Sequence, residues 1–160
     1  MRIYVISDTH VPERVRSIPE AFARQIQRGD ILFHCGDFTS VAVYEKLERM
    51  AEFYGVYGNM DEPALLSVLR QTQTIEIAGK KVGITHGWGS SINLAQRVYD
   101  SFAEKPDIIL FGHSHMKTNE MLNNSILFNP GAASGGWGES PSFGELIIED
   151  GKIKGIYHNL

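Results

Sequence analysis

Apolar residues along this chain come in short runs, and most runs stop at a polar turn. Residues 2–7 form a short β-branched run that predicts a buried strand. Ser17-Ile18-Pro19-Glu20 has the pattern of a capping box with proline in the first turn. Ile18, Phe22 and Ile26 then recur at helical spacing, and Gly29 closes that helix. Residues 31–33 predict a second strand; Val41, Tyr44, Leu47 and Met50 a second helix; 53–57 a third strand; 64–70 a short helix. Alternation of strand and helix implies parallel βαβ units. Further on, 74–77 and 81–85 flank Ala78-Gly79-Lys80 as a hairpin, and Ile92, Ala95, Val98, Tyr99 and Phe102 mark an amphipathic helix. Residues 108–111 predict a buried strand, followed by strands at 120–122, 126–128, 145–148 and 153–157, the last two joined by the turn Asp150-Gly151. The pattern predicts an α/β fold of two packed mixed β-sheets, a β-sandwich, flanked by helices.

Composition narrows the classes. The 160 residues predict one domain, 1–160, with room for a core. The hydrophobic fraction of 42% is that of a soluble protein, and a net charge of -4 without a basic run argues against broad nucleic-acid binding. Cys35, the single cysteine, fits a reducing compartment. No apolar run has membrane-spanning length, and Asp8 interrupts the first run too early for a signal peptide, so a cytoplasmic protein is expected.

The chemistry lies where apolar runs end. Asp8-Thr9-His10, Gly36-Asp37, Gly58-Asn59, Thr85-His86-Gly87 and Gly112-His113-Ser114-His115 supply two carboxylates, one carboxamide and four of the six histidines. Singly, most of these read equally well as turns or core histidines. Two histidines two apart after a buried strand are harder to explain as packing. Ligands collect at the carboxyl ends of strands in open α/β sheets, so one fold can gather all five clusters at one edge. Mixed imidazole and carboxylate donors suit borderline divalent ions. Asp37, with two carboxylate oxygens, is the candidate bridge between two of them.

The pattern Asp8-x-His10, Gly36-Asp37, Gly58-Asn59, His86-Gly87 and Gly112-His113-x-His115 resembles the metallophosphoesterase (calcineurin-like) superfamily, and Asn129-Pro130-Gly131 and the chain length resemble its small phosphodiesterase branch. The resemblance runs from Ile3 to about Asn129. It implies a four-layer fold with a dinuclear centre at one edge. It places Asp8, His10, Asp37 and His115 on one metal, and Asp37, Asn59, His86 and His113 on the other. Asp37, Asn59 and His86 are the expected catalytic residues. Two divalent ions are expected, manganese first, with nickel, iron, cobalt or zinc as alternatives. The implied activity is hydrolysis of a small-molecule phosphodiester by a hydroxide held between the ions. Two divalent ions against Asp8, Asp37 and one hydroxide leave a positive site suited to phosphate.

Two departures set the substrate expectation. Where the family often has a histidine that protonates the leaving group, this chain has Met60, followed by Asp61. Where small members often carry arginine after Asn-Pro-Gly, it reads Ala132-Ala133-Ser134-Gly135-Gly136-Trp137. General-acid help is worth about 10²–10⁴-fold, so diesters with acidic leaving groups are expected to outrun monoesters. The competing expectations are a protein-binding scaffold on the same fold, as in a retromer subunit with a degraded site, or a phosphomonoesterase or protein phosphatase.

Other residues near these clusters carry weaker signals. His34 reads as a buried supporting residue rather than a ligand, His158 as solvated, and Cys35 as packed and not nucleophilic. Asp61 either orients a neighbouring side chain or caps a helix before Pro63. Trp88 and Trp137 either wall the pocket or join the core. The stretch 131–138 either offers amides to phosphate or, preferably, forms a flexible loop. A homo-oligomer paired through sheet edges is also open.

Overall fold

The computed structural model describes residues 2–136 and 138–160. Trp137, one of the two expected pocket walls, lies outside them. Ten strands and four helices follow the order β1 (Ile3–Ile6), α1 (Glu20–Ala23), β2 (Ile31–His34), α2 (Val41–Glu48), β3 (Glu52–Gly55), α3 (Pro63–Val68), β4 (Thr72–Ile77), β5 (Lys80–Thr85), α4 (Leu94–Asp100), β6 (Ile108–Leu110), β7 (Thr118–Leu122), β8 (Ser125–Asn129), β9 (Ser142–Glu149) and β10 (Lys152–Asn159). One five-stranded sheet runs β10-β9-β1-β2-β3 and the other β4-β5-β6-β8-β7. Strands β1, β2 and β3 are mutually parallel, as are β5, β6 and β8.

Alternation within single strands builds the layers. In β1, Ile3 and Val5 enter the core between the sheets, while Tyr4 and Ile6 face the outer core under α1, α2 and α3. Ile108 and Leu110 of β6 likewise point between the sheets, and Ile109 packs with Leu94 and Val98 of α4. Strands buried on both faces carry no polar alternation, which is why their runs are continuously apolar. The result is helix, sheet, sheet, helix, the expected two-sheet α/β architecture.

Two helix expectations change. The first helix is a single turn, and Ser17 makes no cap; Pro19 precedes its first residue. The Asp30 carboxylate accepts the backbone N–H groups of Gln27 at 2.9 Å and Arg2 at 2.8 Å, which draws the chain off the helix and toward β2. The helix expected from Ile92 starts at Leu94. Asn93 adopts φ 56 ahead of it, and Ile92 is left 73% exposed. At the C-terminal hairpin, Asp150 and Gly151 have φ 49 and 71, two left-handed residues that join β9 and β10 in a tight turn. Among the described residues no helix is long and apolar enough to cross a membrane.

Candidate metal centre

Five parallel strands deliver the donors. Asp8 and His10 follow β1, Asp37 follows β2, Asn59 follows β3, His86 follows β5, and His113 and His115 follow β6. Backbone bonds tie these loops together: Asp8 N–H donates to Gly36 O and His10 N–H to Asp37 O, each at 3.1 Å, and Gly112 N–H donates to His86 O at 3.1 Å. The loops must turn sharply to present their side chains inward. Asp8, His10, Asp37, His113 and His115 all have positive φ, between 46 and 68. Asp, Asn and His tolerate this region better than other non-glycine residues, yet it still costs energy, and such strain concentrates at functional sites.

All seven expected ligands converge. His115 Nε2 lies 3.2 Å from Asp8 Oδ1 and 3.3 Å from His10 Nε2. His10 Nε2 is 3.7 Å from both Asp8 Oδ1 and Asp37 Oδ2. His86 Nε2 lies 3.3 Å from Asp37 Oδ2 and 3.1 Å from Asn59 Oδ1, and His113 Nδ1 is 3.0 Å from the same Asn59 oxygen. Asp37 Oδ2 therefore stands between the two sets. Asp37 Oδ1 accepts the Met60 N–H at 2.8 Å, so any bridging falls to a single oxygen rather than to the two expected from the sequence.

Hydrogen bonding at the far ring nitrogens fixes which edge faces inward. His86 Nδ1–H donates to the Cys35 carbonyl at 2.7 Å and His113 Nε2–H to the Gly89 carbonyl at 2.7 Å. A carbonyl only accepts, so in the neutral rings the lone pairs of His86 Nε2 and His113 Nδ1 face Asn59 Oδ1, another acceptor. On the other side, Asp8 Oδ1 is fully buried without a hydrogen-bond partner among the described residues. Acceptors pointed at one another and an orphaned buried carboxylate oxygen are stable only around positive charge. The donor set fits two divalent ions.

The electrostatics agree. Burial pushes the Asp8 carboxyl up, but the His10 and His115 imidazoles beside it outweigh burial and hold the group well below the usual carboxylate range. Burial likewise raises Asp37, and His86 overcomes it. His86 is raised to about 9: burial disfavours its charge, but its bond to Asp37 and the charges of Asp8 and Asp37 win.

The remaining residues sort clearly. His34 is buried, accepts the Gly36 N–H at its Nδ1, and donates from Nε2 to Thr9 Oγ at 3.1 Å; it supports the loops and faces no donor set. Burial pushes it down to about 3. Cys35 is buried, and burial pushes its thiol well up, as befits an inert packed cysteine. His158 is not simply solvated: it stacks on Phe143 and pairs with Glu145 at 2.9 Å. Asp61 does more than either sequence expectation. It caps no helix, since Glu62 precedes α3, and instead accepts three backbone N–H groups, from Asp37, Thr39 and Gly58. Asn129 donates to Gly112 O at 2.8 Å and Ser114 Oγ at 3.2 Å, bracing the loop of His113 and His115. Amides of the glycine-rich stretch are spent internally, with Ala133, Ser134 and Gly135 donating to Ser7, Asp8 and Ala132, so those amides cradle no phosphate. Trp88 is 44% exposed and borders a cavity of about 130 Å³ with Tyr57, Asn59 and His86. A second hollow of about 460 Å³ borders His113, with Gly89, Ser91, Ser114 and Met116. A larger one, about 540 Å³, lies along β4 and holds none of the seven donors.

Residues 1–151 match the calcineurin-like phosphoesterase superfamily domain. The chain belongs to that superfamily. A probable metallophosphoesterase of Methanothermobacter thermautotrophicus is 32% identical to it, over 96% of this chain and 89% of that protein. A phosphodiesterase of Methanocaldococcus jannaschii is 28% identical over 98% of each. Among solved structures, a Thermotoga maritima protein superposes with TM-score 0.80 at 32% identity over 99% of both chains. Vps29 of Entamoeba histolytica, solved with zinc, superposes with TM-score 0.71 at 28% identity over 99% of both. The superfamily implies divalent metal, and the buried groups Asp8, His10, His115 and Asp8, Asp37, His86 are where this chain can hold it.

Proposed function

We propose that this chain is a metal-dependent phosphodiesterase with a dinuclear centre. Asp8, His10, Asp37 and His115 hold one ion and Asp37, Asn59, His86 and His113 the other. The observation that carries this reading is the buried, unpartnered Asp8 Oδ1 beside inward-facing imidazole nitrogens at 3.2–3.7 Å. Two ions bound there supply Lewis-acid stabilisation for an in-line displacement at phosphorus. The chain's own part is positional. Asp37 Oδ2 joins the two donor sets, the Cys35 and Gly89 carbonyls set the ring orientations, and Asp61 locks the loops. The imidazoles and Asn59 are neutral when ligating, so the loaded site keeps a positive surplus that favours an anionic ester.

Diesters fit better than monoesters. The hollows at Trp88 and at His113 each border residues of the second donor set and leave room beside it for ester substituents. Met60 is 48% exposed at the rim and donates no proton, so a leaving group that departs as a stable anion reacts fastest. The likeness to a phosphodiesterase supports the same choice. Manganese is the first ion of this proposal and a small-molecule diester its substrate; the lone buried Cys35 supports a cytoplasmic location. A protein-binding role is the competing reading, favoured by the likeness to Vps29; the complete set of seven donors favours catalysis.

Metal-stripped protein, with manganese, nickel, zinc or magnesium returned singly, tests the proposal on bis(p-nitrophenyl) phosphate against p-nitrophenyl phosphate. Metal-dependent diester turnover that exceeds monoester turnover and vanishes in His86→Ala is the expected result. Monoester preference, or no turnover by protein shown to bind two ions, overturns it.

A further inference from the structure

Arg14 is a cation beside the centre that holds no ligand position. It stands four residues after His10, and its backbone N–H donates to the His10 carbonyl at 2.8 Å, so its place is tied to that of a metal ligand. The residue is exposed, yet its guanidinium folds back onto the outer edge of the His115 ring, with Nη1 3.3 Å from Nδ1. A Cβ on Gly136 would lie 3.1 Å from that ring nitrogen and 3.3 Å from Nη1, so the guanidinium fills the notch between the first loop and the segment after Pro130. Among the described residues it pairs with no carboxylate. Arg97, also near the rim, is different: its guanidinium is spent on the carbonyls of Ile92 at 2.7 Å and Trp88 at 3.0 Å.

The contact with His115 changes once Nε2 becomes a ligand. The ring proton then sits on Nδ1, and Nδ1–H and Nη1–H are two donors face to face. The guanidinium is left beside a positive centre with N–H donors seeking acceptors. Phosphate oxygens are the acceptors whose geometry a guanidinium matches in bidentate fashion.

We propose that Arg14 is a phosphate-contacting residue: in the metal-loaded protein its guanidinium donates to a non-bridging oxygen of the bound phosphoryl group on the His10 and His115 side. This rests on the reading of the site as a phosphate-ester site. It also means that the first loop supplies the arginine lacking between Ala132 and Gly136.

Calorimetric titration of manganese-loaded protein with inorganic phosphate tests it without turnover, using Arg14→Ala, Arg14→Lys and the exposed control Arg24→Ala. Arg14→Ala is expected to weaken phosphate binding roughly tenfold and Arg14→Lys roughly threefold, with manganese affinity and the control unchanged. On bis(p-nitrophenyl) phosphate, KM should rise more than kcat falls. Unchanged phosphate affinity in Arg14→Ala overturns the inference, as does a loss fully explained by lost manganese, which would make Arg14 only a brace for His115. If wild-type protein turns over no diester but the phosphate effect appears, the inference stands and the phosphodiesterase reading falls. Diester turnover with normal phosphate binding in Arg14→Ala sinks the inference alone. Wild-type protein that binds manganese but no phosphate overturns both.

Discussion

Asp61 accepts the backbone N–H of Asp37 at 3.1 Å, and the same oxygen takes that of Gly58 at 2.7 Å while its other oxygen takes that of Thr39 at 2.8 Å. One carboxylate thereby fastens the loop that carries the bridging candidate to the loop that carries Asn59, without being a donor itself. Asp61→Ala leaves three amides without their acceptor and should lower stability by about 1–3 kcal/mol. Metal affinity should fall about 10–100-fold, as is typical when the support of a ligand is removed. Asp61→Asn keeps one acceptor oxygen and should lose less. Urea unfolding of the stripped protein and manganese titration measure the two effects; unchanged metal affinity in the alanine variant would mean the loops hold their ligands unaided.

A pH prediction follows from His86. Its value in the metal-free fold, about 9, lies above the ordinary 6.5. Between those values the folded protein keeps a proton that the unfolded chain has released. The stability this supplies is whole below about pH 6.5 and is lost as pH rises through about 9. Ligation needs the neutral ring, so metal affinity moves the opposite way and grows with pH. Thermal melts of EDTA-stripped protein should show Tm falling by roughly 10 °C across that window. The Tm gain on adding manganese should increase over the same range. A metal-free Tm that stays level from pH 6.5 to 9 would show that no such proton is held.

Gly58 tests crowding rather than backbone freedom. Its φ is not in the left-handed region, but a Cβ there would collide with Asp37 Oδ1 and lie 2.5 Å from Asp37 N. Gly58→Ala must push Asp37 away from its position between the donor sets. A loss of about 1–3 kcal/mol is expected from overpacking, with at least about tenfold weaker manganese binding. Should alanine be accommodated with full metal affinity, Asp37 would not need its present position to ligate.

The sequence made the strands legible because β1, β2 and β6 are buried on both faces, so their apolar runs are unbroken and their ends unmistakable. The seven donors were legible for the same reason: each follows the end of a parallel strand, where an α/β fold collects ligands. What the sequence could not reveal depends on loops meeting across the fold. Asp61, two residues before Pro63, looks like a local cap until the chain brings Asp37 and Gly58 within reach. Arg14 looks like a surface charge until Gly136 and His115 arrive beside it, some 120 and 100 positions along the chain. His158 looks solvated until β10 pairs with β9 and lays it on Phe143. The shortened first helix has the same origin, since the Asp30 carboxylate that ends it binds an amide of the first strand's approach.

Trp88 gives a prediction about substrate preference. It borders the cavity that also touches Asn59 and His86, two residues after that candidate ligand in sequence, and its exposed indole is available to a substituent of the ester. An aryl or nucleobase substituent seated there gains a ring contact worth about 1 kcal/mol, whereas a short alkyl group gains little. Trp88→Ala should therefore raise KM for an aryl diester roughly fivefold and leave KM for dimethyl phosphate nearly unchanged. Manganese affinity should stay at the wild-type level, because Trp88 is not among the seven candidate metal ligands. The measurement is a KM comparison of the two diesters in wild type and variant. An equal rise for both would place Trp88 in support of the His86 loop instead of against the substrate, and no rise for either would put the ester's substituent in the hollow beside His113.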